Sequence, residues 1–213
     1  MSTFETIRSL AGFKSAKDEV ISRKTMGKIL EAGRNSPSPG NVQTLEMIVV
    51  ESDEGLEMLS ETTGDHRVEE APTSVILVAD IERMKRRVGT GAREACNAEI
   101  ATAVQNMRLV ALEEGIHSNW VSGFDEHRLG EQFRIPEGKA PLAVVSFAYT
   151  EQPNSPEQKF GMNEICFYDK YGNQIGSVFD QVEWKGLREE RRIYGKKGKG
   201  LLDKLKRSIR KVL

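Results

Sequence analysis

Cysteine and histidine are almost missing from this chain of 213 residues. The two cysteines, Cys96 and Cys166, belong to no C-x-x-C pair, and His66, His117 and His127 are scattered without ligand spacing. No metal site is legible in such a pattern. Both thiols lie in apolar-periodic stretches, where free cysteine behaves as a small buried hydrophobe. Long hydrophobic runs are missing too. Leu142 to Tyr149 is the longest mainly apolar run, far short of the ~20 residues a membrane span needs. Met1 to Glu5 offers no apolar core of signal-peptide length, so the expected setting is soluble, reducing and cytoplasmic. There is no excess of charge either: 31 basic and 32 acidic residues leave a formal charge of -1. That balance argues against a nucleic-acid partner. No Ser/His/Asp or Cys/His arrangement stands out, and no G-x-G-x-x-G follows a strand pattern; Gly89-Thr90-Gly91-Ala92 is not that fingerprint.

The even charge balance hides an asymmetry. Residues 196–213 hold eight basic residues against Asp203 alone, a net +7, which leaves -8 for residues 1–195. Leu201, Leu202, Leu205, Ile209, Val212 and Leu213 fall at helical spacing in this tail, opposite a basic face. Three roles fit such a helix: docking on a partner subunit, weak contact with an anionic membrane surface, or a solvated end.

Helical periodicity marks Thr25 to Arg34, where Met26, Ile29, Leu30 and Gly33 recur on one face. A longer helix is expected from Arg93 to Glu114. Its residues Cys96, Ile100, Ala103, Met107 and Val110 step by four and three, and Gly115 supplies a stop. Ala98, Ala101, Ala111 and Leu112 widen the apolar surface, as in a helix central to a fold or at a subunit interface. Shorter helices are expected over Glu54–Glu61 and Glu126–Phe133. Residues 81–91 read as a solvated loop or frayed helix. Strands are expected at Met47–Val50, Ser74–Ala79, Leu142–Tyr149 and Ile165–Tyr168; the second is apolar throughout, which predicts cover on both faces. The fold class is α+β, a central mixed sheet flanked by helices.

One segment stands apart. Ser36-Pro37-Ser38-Pro39-Gly40-Asn41-Val42-Gln43 lies between a helix and a strand, and its prolines and glycine exclude regular structure. Ser36, Ser38, Asn41 and Gln43 crowd it with hydrogen-bonding side chains. Amides supply donor and acceptor together, as the edge of a planar heterocycle requires; a loop that satisfies its own backbone would use the same residue types.

Across residues 20 to 172 the chain resembles the nitroreductase family of FMN-dependent flavoproteins, which fold as dimers. Pro37 to Gln43 is similar to that family's P-S-x-x-N-x-Q loop, although Thr44-Leu45 stands where the family has Pro-Trp. Gly115 to Phe124 resembles the stretch whose backbone N–H groups point at flavin N5. Lys159-Phe160-Gly161-Met162-Asn163-Glu164-Ile165, followed by Phe167 to Gly172, resembles the late segment in which a basic residue grips the FMN phosphate. The family's N-terminal R-R-S-x-R-x-F is incomplete here: Ile7-Arg8-Ser9-Leu10-Ala11-Gly12-Phe13-Lys14 keeps Arg8 alone in one register and adds Lys14 in another.

The resemblance implies a nitroreductase-like FMN-binding domain over residues 1–180, a basic C-terminal extension over 181–213, and a homodimer. It implies that Arg8, Ser9, Lys14 and Lys159 attend the phosphate, since a dianion favours several charge-assisted bonds. Pro37, Ser38, Asn41 and Gln43 would meet the pyrimidine edge. There, donors stabilise the anionic reduced ring and raise its potential. Ser122 and Gly123 would present N–H groups to N5, with glycine allowing close approach. Trp120 could stack beside flavin or substrate, or be a core aromatic, and His117 is expected to be structural. The implied cycle is ping-pong: NADH or NADPH reduces FMN and leaves, then a small oxidised acceptor such as a nitroaromatic or quinone takes its place. No catalytic side chain is required beyond the flavin. A dehalogenating or flavin-consuming member of the superfamily, or a non-catalytic scaffold keeping the fold, is the alternative.

Overall fold

In the computed structural model residues 2–173 are described, and the chain divides into a unit ending at Glu157 and one beginning at Gln158. The first unit runs α1 (Thr3–Ser9), α2 (Arg23–Arg34), β1 (Leu45–Val50), α3 (Asp53–Thr63), α4 (Arg67–Glu70), β2 (Thr73–Asp80), α5 (Ile81–Val88), α6 (Ala92–Glu113), β3 (His117–Val121), α7 (Glu126–Gln132) and β4 (Lys139–Ala148). In the second unit α8 (Met162–Ile165) is a single helical turn.

The strands lie in the order β1-β2-β4-β3, and every pairing among the described residues is antiparallel. Where the sequence leads to a mixed sheet, the four strands among the described residues show antiparallel pairs alone. The connection between β1 and β2 explains the first pairing. α3 and α4 fold back on themselves, so β2 enters at the end of the sheet where β1 left it.

Strand alternation then sorts the apolar side chains into two layers. Val75, Leu77 and Ala79 of β2 join Ala143, Val145 and Phe147 of β4 in a core with α2 and α6. Ile76, Val78 and Val144 point the other way, onto Leu56 and Leu59 of α3, Val68 of α4 and Leu129 of α7. All of β2 except Asp80 is buried, which accords with its unbroken apolar run. Two hydroxyls that enter this sheet pair: Ser74 and Ser146 sit opposite each other with their Oγ atoms 2.8 Å apart. Pro141 lacks an N–H, but β3 pairs only with Val144–Ala148, so the proline lies where β4 has one neighbour, beside a register shift at Leu77/Val78.

The 22-residue α6 covers one face, with Cys96, Ile100, Ala103, Met107 and Ala111 buried along it. It ends where expected. The Ile116 N–H donates to Ala111 and the Gly115 N–H to Leu112, with Gly115 at φ 78, the paired C-terminal closure that favours glycine. α2 packs on α6 closely enough that a Cβ on Gly33 would lie 2.8 Å from Met107 Sδ.

Three local expectations change. Ile81–Val88 is a regular helix; Asp80 caps it by accepting from the Arg83 N–H, and its basic last turn suits the C-terminal end of the helix dipole. His117–Val121 is an edge strand that its polar residues conceal. The strand expected at Ile165–Tyr168 is not among the described strands: Ile165 closes the α8 turn, and residues 166–168 form no strand. Glu164 secures that turn by accepting the Gly161 N–H at 2.6 Å, half of a capping box. The extension at 181–213 lies outside the described residues.

Ile76 is fully buried between β1, β4 and the α3 layer. Ile76→Ala is expected to lower unfolding free energy by about 2–5 kcal/mol in denaturant titration, with no change in denaturant slope.

Candidate functional site

Two clusters carry chemistry, and each is pinned by a buried side chain. The first is the loop between α2 and β1. Pro39–Asn41 forms one tight turn with Gly40 at φ 63, and Asn41 and Gln43 follow at φ 55 and 57. Asparagine tolerates the left-handed region; glutamine there is a strained residue that its surroundings must hold. They do so at both backbone groups. The Gln43 N–H donates to Ser38 Oγ at 3.0 Å, and the Gln43 carbonyl accepts from Arg83 Nη1 at 2.6 Å. Arg83 is itself oriented by Asp80 and Glu46.

The next residue is clamped from below. Glu99 of α6 is 2 % exposed, and its carboxylate accepts the Thr44 N–H (2.9 Å), the Thr44 hydroxyl (2.7 Å) and the Leu45 N–H (3.3 Å). Three donors on one buried carboxylate meet the requirement that a buried charge be fully hydrogen-bonded. Cys96 lies 3.5 Å from the same hydroxyl, and burial pushes its thiol pKa up. It is a poor nucleophile.

Between these clamps the amides are exposed. Gln43 Nε2 donates to Asn41 Oδ1 at 3.1 Å. That leaves the Asn41 amide N–H₂ and the Gln43 side-chain carbonyl with no partner among the described residues. One donor and one acceptor side by side match a cyclic imide edge, and the donor set fits the pyrimidine end of a flavin. Pro37 is exposed and Ser38 half-buried; Ser38 serves the loop's own backbone. A cavity of about 460 Å³ opens beside the loop, lined by Ser36, Gln43, Arg34, Arg83 and Glu99 among others.

The second cluster lies along β3. Asn119, 6 % exposed, accepts the Phe13 N–H on Oδ1 (3.2 Å) and donates Nδ2 to the Phe13 carbonyl (3.1 Å). Gly12 makes room for it: a Cβ there would stand 2.0 Å from Asn119 Oδ1. His117 Nδ1 lies 3.3 Å from the Ala11 carbonyl, a structural contact. On the far side, Lys14 N–H donates to Gln152 and Asn154 N–H to Gly12. Lys14 is thereby held at a cavity of about 570 Å³ whose walls include Asp65, His66, Arg67, Asn154 and Val121. Arg67 forms an ion pair with Asp65 and holds that carboxyl below the usual range. Its charge is spent, whereas Lys14 has no carboxylate partner among the described residues.

Ser122 and Gly123 follow Val121 directly. Both are exposed, Gly123 has φ 80, and neither N–H makes a hydrogen bond among the described residues. Trp120 is 43 % exposed on this edge and is not a core aromatic. Arg8 is exposed on α1, its guanidinium 5.8 Å from the Phe4 ring centroid, and the Ser9 hydroxyl donates to the Glu5 carbonyl of its own helix. Lys159 falls in the second unit, where it is exposed. No group of three or more His, Cys, Asp or Glu among the described residues could hold a metal ion.

These clusters do not meet within one chain. β1 and β3 are the opposite edges of the sheet. Three strand spacings separate them, about 14 Å, and the register adds an offset along the strands, about 12 Å. The loop preceding Leu45 and the segment following Val121 thus sit too far apart for their side chains to share one ring.

Glu99, Asn119 and Arg83 are the residues that pattern reading missed. Glu99 had a signal, a carboxylate inside the buried α6 stripe between Cys96 and Ile100. Asn119 had a weaker one, a glycine at position 12 with no turn to explain it.

The fold is an α+β unit, one antiparallel sheet covered by helices on both faces. The family model described as the nitroreductase family matches residues 14–66 and 58–149, and the chain belongs to that family. A protein of Archaeoglobus fulgidus provisionally named NADH dehydrogenase/NAD(P)H nitroreductase is 31% identical over 137 residues, 62% of this chain and 76% of that protein. An FMN reductase [NAD(P)H] of Bacillus subtilis is 27% identical over 116 residues, 53% of this chain and 46% of that protein, under half its length. Among solved structures, a nitroreductase family protein of Clostridium difficile superposes with a TM-score of 0.70 at 23% identity, over 80% of this chain and 99% of that one.

Two substitutions test the clamps. Glu99→Leu should cost ~1–3 kcal/mol for each buried donor left unpaired and loosen the loop, read as a lower Tm. Gly12→Ala should lower Tm by forcing Asn119 off Phe13. An unchanged Tm in either would contradict the corresponding clamp.

Proposed function

We propose that this chain binds FMN and catalyses hydride transfer from NADH or NADPH to a small oxidised acceptor, a nitroaromatic, quinone or similar, at a site shared by two copies of the chain. The observation that carries this reading is the unpaired donor and acceptor of Asn41 and Gln43, held on a strained backbone at three points. Backbone strain of this kind is kept where surroundings over-determine it, commonly at ligand sites. Family membership and the names borne by the relatives of Archaeoglobus fulgidus and Bacillus subtilis support the same class.

The chemistry that bound FMN supplies is acceptance and release of hydride. The chain's part is to bind, orient and polarise. The Asn41 N–H₂ would donate to a ring carbonyl and the Gln43 carbonyl would accept from the ring imide N–H. The N–H groups of Ser122 and Gly123 are open to an electronegative ring nitrogen. Lys14 offers positive charge to a phosphate beside β3, with Arg8 as the other candidate in the same unit. The sharing between copies follows from the edges: the loop of one copy and the β3 side of another can frame one ring, which a single copy's distant edges cannot. The exposed Phe4 and Ile7 of α1 and Trp120 of β3 are apolar surface that a second copy would cover.

Apoprotein titrated with FMN should take it up stoichiometrically, and NADH or NADPH should then bleach the yellow colour anaerobically. Asn41→Ala should weaken FMN binding on the order of 10-fold, the cost of about 1–3 kcal/mol for an unsatisfied polar edge. Ser38→Ala should also weaken it, through the Gln43 backbone, but less. No uptake of FMN, or equal and negligible effects of both substitutions, would contradict the reading.

A further inference from the structure

α5 sets four basic residues, Arg83, Lys85, Arg86 and Arg87, against Glu82 in an eight-residue helix beside the amide loop. Its four basic residues divide into two that are paired and two that are not. Arg83 is matched by Asp80 and Glu46, and Lys85 by Glu82 at 3.4 Å. Arg86 and Arg87 are exposed and have no carboxylate partner among the described residues. Arg87 follows Arg83 by four residues, which puts both on one face of the helix. That face runs along the loop: Arg83 donates to the Gln43 carbonyl. A Cβ placed on Gly40 would lie 3.2 Å from Arg87 Nε and 3.9 Å from its Nη2. An unpaired guanidinium is thus stationed at the rim of the proposed flavin site, with a second beside it in sequence.

We propose that Arg87, assisted by Arg86, is the anion site that recognises the 2′-phosphate of NADPH and makes it the preferred reductant over NADH. This rests on the functional reading above and goes beyond it, because that reading leaves the two nucleotides equivalent. A guanidinium offers a planar fork of donors that matches phosphate oxygens in pairs. A phosphate monoester carries close to two negative charges, so the Arg87 guanidinium, without an acidic partner, suits it better than the singly charged esters of a pyrophosphate, while Arg86, on the neighbouring helix face, adds positive field. The Arg83 contact to the Gln43 carbonyl anchors α5 along the loop, so Arg87, one turn further on, stands beside Gly40. Lys85, satisfied by Glu82, is not part of the site.

The test uses FMN-loaded protein and steady-state reduction with each nucleotide. Wild type is expected to show a higher kcat/KM with NADPH than with NADH. Arg87→Ala should raise KM for NADPH about tenfold, the order expected for losing a charge-assisted bond, leaving KM for NADH and both kcat values nearly unchanged. Arg87→Lys should recover part of the loss. Adenosine 2′,5′-bisphosphate should inhibit wild type competitively more strongly than 5′-AMP, and Arg87→Ala should erase that difference; Lys85→Ala should not. Equal losses with both nucleotides would place Arg87 on the shared pyrophosphate and overturn the proposal. So would a fall in FMN affinity of the apoprotein, which would assign it to the flavin, or a wild type indifferent to the 2′-phosphate. Failure of FMN uptake, or no reduction by either nucleotide, would instead overturn the functional reading beneath it.

Discussion

Burial of both faces of one antiparallel sheet constrains everything else in this protein, because β2 is apolar along nearly its whole length and must be covered twice. α2 and α6 cover one face and α3, α4 and α7 the other. Side chains on those faces are committed to packing, where each contributes through area removed from water. Polar chemistry is left with the sheet's edges and the loops at its ends. The amide loop enters β1 at one edge, and Ser122-Gly123 leaves β3 at the other. A function that needs both is driven to use two chains.

Each edge is then stiffened by one buried polar side chain acting across the fold. Glu99 belongs to the core helix yet serves the backbone of Thr44 and Leu45. Asn119 belongs to β3 yet serves both backbone groups of Phe13. These contacts do for irregular segments what a neighbouring strand does for a regular one. They satisfy buried N–H and carbonyl groups that would otherwise cost free energy. The strained φ values of Asn41 and Gln43, of order 1–3 kcal/mol each, are sustained by that rigidity. A site that presents donors without having to order them first loses less entropy on binding.

Much of this was legible in the residues. α2, α6, β1, β2 and β4 followed from periodicity, since each buries a stripe or a continuous run with few interruptions. The irregular loop from Pro37 to Gln43 was legible because its prolines and glycine exclude regular structure. β3 was not, since Ser118 and Asn119 are polar yet buried: Ser118 accepts from Arg108 of α6, and Asn119 meets a segment about a hundred residues earlier. α5 was obscured because Met84 is its one buried residue, too little for a periodic signal. The tight turn at Met162–Ile165 shows the converse: a short apolar run, Ile165 to Tyr168, carries no information about period, so a capping contact from Glu164 decided it. Pairing across the sheet, and hence the placement of β1 and β3 at opposite edges, is a long-range property that no local pattern encodes.

In the proposed site two copies of the chain frame one flavin, with the amide loop from one and the β3 side from the other. Subunit complementation tests it most directly. One variant carries Asn41→Ala and Gln43→Ala; the other carries Arg8→Glu and Lys14→Glu; each alone should bind FMN poorly. When the two are co-expressed and the mixed species is isolated by differential tags, a shared site leaves one intact and one doubly damaged site per pair. The account predicts recovery of near-wild-type FMN affinity at half the wild-type stoichiometry. Mixed species that bind FMN no better than the separate variants would contradict it, since a site lying within one chain cannot be rebuilt by mixing.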